Sequence, residues 1–148
     1  MSNSDFEQAE RLSGKRSRML AALAVIFIAQ QGAFLVEPET AMRTVDHVKI
    51  GAWVVLSAVI LAALVTGGGW IYPKRVRELA NDESTRANRA RAMRLGFINA
   101  MITCLLLYVL STVTVVGARQ AIHVITTVGL ASALLSFAML ERQAQRDA

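Results

Sequence analysis

Four long stretches of this 148-residue chain, residues 19–36, 50–72, 95–116 and 121–140, hold no aspartate, glutamate, lysine or arginine. Ionisable groups inside a membrane mark proton relays and coupled transport, so their absence speaks against a proton-driven exchanger. Cysteine is as scarce. One residue, Cys104, rules out an internal disulfide and, lying in an apolar stretch, reads as a small core residue. The chain also lacks a nucleophile elbow, a phosphate-binding loop and a paired-cysteine site. No nucleophile, base and orienting group converge, so catalysis is not expected. No cofactor is called for either.

What remains is apolar. Hydrophobic residues make up 54% of the chain, above the usual 45–50% of soluble domains, and the excess falls in the four blocks. Each block is about 18–23 residues long, and at ~1.5 Å per residue about 20 residues cover a ~30 Å hydrocarbon layer. Lipid offers no partner for an unpaired amide, so such spans are helical. The expected fold is therefore all-α, an integral membrane four-helix bundle. The first block could be the core of a secretory leader. It exceeds the usual ~7–15 residue core and follows a long polar segment, so it reads as a retained anchor.

Positive charge orients the spans. Of the 16 lysines and arginines, only Arg43, Lys49 and Arg119 fall on one side. The other 13 lie in the tail 1–18, in the connection 73–94 or in the tail 141–148. The positive-inside tendency puts both termini and the central connection in the cytoplasm. Trp70 and Tyr72 stand where interfacial aromatics belong. The basic balance, which in a soluble chain would suggest nucleic acid, is accounted for by the membrane, and direct nucleic-acid binding is not expected. The bilayer itself is the first partner.

Punctuation marks the ends of spans. Pro38 should break the first helix near its exit, and Gly67, Gly68 and Gly69 loosen the second before Pro73. Asn81 reads as an N-cap, followed by Asp82 and Glu83 where a helix dipole favours negative charge. One long helix is expected from about Asp82 to Val116, then a tight turn at 117–120 that makes spans three and four an antiparallel hairpin.

Small residues recur at helical spacing: Ala29 and Ala33 on span one; Gly96, Ala100 and Cys104 on span three; Gly129 with Ala133, and Ser132 with Ser136, on span four. Such faces let helices approach closely, within one bundle or in a homo-oligomer. Amides buried in lipid want partners. Gln30 and Gln31 on span one and Asn99 on span three are thus interhelical glue or the lining of a polar path, and they fall in opposite halves of the membrane. His47 and His123 share the outer side with Glu37, Glu39 and Asp46; two histidines without diagnostic spacing make only weak candidates for a metal or haem.

The central connection carries the densest mixed charge. Arg86, Arg89, Arg91 and Arg94 follow Asp82 and Glu83, with Asp82 and Arg86 spaced for an i, i+4 pair. Basic residues there serve topology and anionic headgroups. The acidic residues exceed that need and suggest a docking surface for a cytoplasmic or membrane protein partner. The run Asn81-Asp82-Glu83-Ser84-Thr85-Arg86-Ala87-Asn88-Arg89-Ala90-Arg91-Ala92, leading straight into span three, resembles the juxtamembrane segment of small multi-pass bacterial inner-membrane proteins of unknown function. That resemblance implies an inner-membrane protein, in some cases encoded beside a DNA-binding regulator, and supplies no catalytic residue. A non-catalytic regulatory or accessory anchor is the expected role. The alternative is one subunit of an oligomeric transporter or channel for a small solute.

Overall fold

The computed structural model describes residues 18–31, 44–67, 83–144 and 146. All regular structure among them is helical: α1 Arg18–Gln31, α2 Thr44–Thr66, α3 Glu83–Leu110 and α4 Ala118–Ala144. Three helices, α2, α3 and α4, are long and apolar enough to cross a membrane. At ~1.5 Å per residue they measure about 34, 42 and 40 Å, so α3 and α4 outrun a ~30 Å hydrocarbon layer. α1 is shorter, about 21 Å. The remainder of the first expected span, residues 32–36, lies outside the described residues, as do Pro38, Trp70, Tyr72, Asn81 and Asp82.

α4 is the central helix. It packs along α3 and also touches α2. One core joins Leu20, Ala24 and Phe27 of α1, Ile60 and Leu64 of α2, Ala92 of α3, and Ala131, Ala133, Leu134, Phe137 and Ala138 of α4. On α1, α2 and α4 these residues fall at helical spacing on one face, the face a helix turns to its neighbours, and α3 contributes Ala92. Trp53 of α2 meets His123 near the start of α4, and Ile60 and Leu64 further along join Leu134 and Phe137 further along α4. α2 and α4 therefore run in the same direction, while α3 and α4 form an antiparallel hairpin.

Glycine sets the closeness of that hairpin. A Cβ placed on Gly96 would stand 2.7 Å from both the Ala133 Cβ and the Gly129 carbonyl oxygen. One on Gly129 would stand 3.1 Å from the Ala100 Cβ. Gly96 and Ala100 of α3 thus do meet Gly129 and Ala133 of α4, and close approach gains dispersion contact that lipid cannot replace. Cys104 departs from this. It is exposed on α3, not a core residue. The half-buried Thr103 and Leu107 continue the face toward α4, and Cys104 sits beside that face, not on it.

Two helix ends also differ from expectation. α2 stops at Thr66, short of Tyr72, because Gly67 takes a φ of 80°. That left-handed conformation suits glycine and caps the helix, with the Gly67 amide donating to the Ala63 carbonyl at 2.9 Å. α3 stops at Leu110, short of Val116. The run Ser111-Thr112-Val113-Thr114-Val115-Val116 is β-branched after its first residue and disfavours helix. The Ser111 and Thr112 hydroxyls donate to the carbonyls of Tyr108 and Val109, and the chain turns there. The connection is therefore residues 111–117, and residues 118–120 already belong to α4.

Candidate functional site

Helix α3 enters the bundle through its basic end. Thr85, Ala92 and Gly96 are buried, so one face of its first turns is committed to packing. At about 100° per residue, Arg86, Arg94 and Arg91 fan across the opposite side. All three are exposed, with the small Ala87 and Ala90 exposed between them, and Arg89 is half-buried at the edge. Glu83 is exposed in the first turn, where its charge complements the helix dipole. The packed face fixes the direction of the arginines, so the cationic surface is held by a rigid element.

Distances along α3 separate the four. Taking Leu95 as the first lipid-facing residue, Arg94 and Arg91 lie within about 6 Å of it, inside a headgroup layer of roughly 5–7 Å. On that basis Arg89 and Arg86, about 9 and 14 Å away, would stand beyond such a layer.

A second polar set occupies the other half of the bundle. Gln31 is 5% exposed at the end of α1. Its amide donates to the Phe27 carbonyl at 3.1 Å, while its Oε1 has no hydrogen-bond partner among the described residues. Trp53 stacks on His123 with ring centroids 4.5 Å apart and planes inclined by 30°. The Trp53 indole nitrogen and the Ser57 hydroxyl, one turn apart on α2, are buried with no hydrogen-bond partner among the described residues. The hydroxyls of Thr103, Thr127 and Ser132 instead bond back to their own helices.

Gln30 and Asn99 are half-buried, and Gln30, Gln31 and Asn99 share no hydrogen bond among the described residues. His123 stacks on Trp53, and the side chain of His47 lies outside the described residues. Among the described residues no three of His, Cys, Asp and Glu cluster as metal ligands would.

Glu141 escaped the sequence reading, which ended span four at Leu140. α4 continues to Ala144, and Glu141 is 4% exposed and engaged with a partner. The signal was there: Leu134, Phe137, Ala138 and Glu141 fall on one stripe at intervals of three and four.

No protein-family model, curated protein or solved structure matches the chain. The functional reading therefore rests on the geometry.

Proposed function

We propose that this chain is a non-catalytic accessory or regulatory protein of a bacterial inner membrane, crossing it four times with both termini in the cytoplasm. It anchors a cytoplasmic protein partner through the basic segment that leads into α3. The observation that carries the reading is the exposed fan of Arg86, Arg91 and Arg94 on the side of α3 turned away from the bundle, with Arg89 half-buried at its edge. Rigid presentation lowers the entropy cost of docking, and guanidinium groups suit carboxylate-bearing partners. The orientation rests on the 13 basic residues that gather on one side of the spans.

In-membrane crosslinking followed by mild-detergent pull-down tests this, comparing the native chain with Arg86→Ala/Arg89→Ala. A specific cytoplasmic protein captured by the native chain and lost in the variant supports the anchor. Recovery of self-crosslinks alone, unchanged by the substitutions, refutes it.

The unpartnered buried groups of Gln31, Trp53 and Ser57 favour a second reading, a subunit of an oligomeric transporter or channel. These groups would line a path for a small neutral solute that both donates and accepts hydrogen bonds. Four helices seldom enclose a pore alone, so this reading requires an oligomer. A monomer in native-like lipid, with no solute flux in liposomes, removes it.

A further inference from the structure

The packing of α3 against α4 brings two polarity boundaries into conflict. Gly96 stands opposite the 129–133 stretch of α4. In an antiparallel pair, each step back along α3 matches a step forward along α4. Arg94 therefore lies level with about Ala133, Arg91 with about Ser136, and Leu140 with about Ala87. The apolar run of α4, residues 121–140, is about 30 Å long and would place the hydrocarbon boundary at Leu140. Met139, 64% exposed on that helix, carries the lipid-facing surface to this level. On α3 the uncharged run ends at Leu95. The two boundaries differ by about 12 Å.

Arg91 and Arg94 are exposed and cannot withdraw into the bundle. An exposed guanidinium in hydrocarbon is far costlier than an exposed methionine in the headgroup layer, so the boundary at α3 must follow the arginines. We propose that Arg91 and Arg94 bind the phosphate of an anionic lipid of the cytoplasmic leaflet, holding its headgroup about 10 Å deeper beside α3 than beside Met139. Planar guanidinium groups bind phosphate bidentately, and that leaflet supplies anionic lipid. This rests on the cytoplasmic orientation proposed above but needs no protein partner.

Cys104, the one cysteine and exposed on α3, reports the depth without mutation. If the boundary lies at Leu95, Cys104 is about 13 Å inside it, close to the midplane of a ~30 Å layer. If it lies at Leu140, level with Ala87, Cys104 is about 25 Å inside and near the far interface.

The purified full chain, nitroxide-labelled at Cys104, is placed in phosphatidylcholine nanodiscs containing phosphatidylglycerol. Paramagnetic accessibility gives the label depth, and native mass spectrometry of detergent-released protein counts retained phosphatidylglycerol. A midplane label, with severalfold loss of retained lipid in Arg91→Gln/Arg94→Gln but not in Arg142→Gln, supports the site. A label near the far interface in the native chain overturns it, as does equal retention in all three proteins. Displacement of the lipid by millimolar inorganic phosphate also overturns it, since the site would then take free phosphate. Partner capture is read separately through Arg86 and Arg89, so either proposal can fail alone.

Discussion

Gly96→Ala adds one methyl group at the tightest point of the hairpin. Its carbon would sit 2.7 Å from the Ala133 Cβ and 2.7 Å from the Gly129 carbonyl oxygen. Carbon atoms pack at about 3.5–4.0 Å, so the helices must part by roughly 1 Å. The carbonyl oxygen is backbone and cannot swing aside. Parting by 0.5–1 Å forfeits a quarter to a half of each dispersion contact along the seam, and overpacking of this kind costs about 1–3 kcal/mol. Gly129→Ala meets the Ala100 Cβ at 3.1 Å and the Gly96 carbonyl oxygen at an ordinary 3.5 Å, and should cost less. Gly51→Ala is the control, since nothing lies within 4 Å of its new carbon and alanine is the better helix former. Reversible unfolding in mixed SDS–maltoside micelles, followed by circular dichroism, should rank stability as Gly51→Ala at or above native, then Gly129→Ala, then Gly96→Ala. Adding Ala133→Gly to Gly96→Ala should restore part of the loss, because one of the two clashes goes. Equal stability of Gly96→Ala and Gly51→Ala would refute the close crossing.

Three further outcomes follow from the packing. Phe27→Ala and Phe137→Ala, both fully buried, should each cost about 3–5 kcal/mol in the same unfolding assay, while Phe97→Ala, 65% exposed, should stay within about 0.5 kcal/mol. Gln31→Leu removes a buried acceptor that has no partner among the described residues, so it should be neutral or stabilising; a loss above about 1 kcal/mol would show that Oε1 is engaged. His123→Phe should keep the stack on Trp53, whereas His123→Ala should lose about 0.5–1.5 kcal/mol beyond its area term. In a Trp70→Phe background, a red shift of Trp53 emission in the alanine variant alone would report the opened contact.

The hairpin shows how far local sequence reaches. Gly96, Ala100, Gly129 and Ala133 were legible as small faces because close helix packing demands small residues wherever it occurs. Which faces meet is a property of the pair, and Cys104, at the same spacing, turns out to be exposed. The early end of α3 was legible in principle in its β-branched run, but apolarity argued for continuation, and the turn follows from hydroxyls that compete for the last carbonyls. For the candidate site, residue types and the basic run were plain from the sequence. The setting of Arg89 at the packed edge, apart from the exposed Arg86, Arg91 and Arg94, and the burial of Glu141, needed helix phase and neighbours.

The sequence by itself determined helicity, and it determined the presence of long spans, because a nonpolar solvent leaves an uncharged stretch of about 20 residues one way to satisfy its backbone. It could not determine the level at which one helix stands beside another. That level is chosen by the contact of Gly96 with Gly129 and Ala133, between residues more than thirty positions apart. Tertiary packing alone decided that the polarity boundary of α3 lies about 12 Å from that of α4, because the dispersion gained at the seam depends on surface shape and not on where either helix changes from apolar to charged.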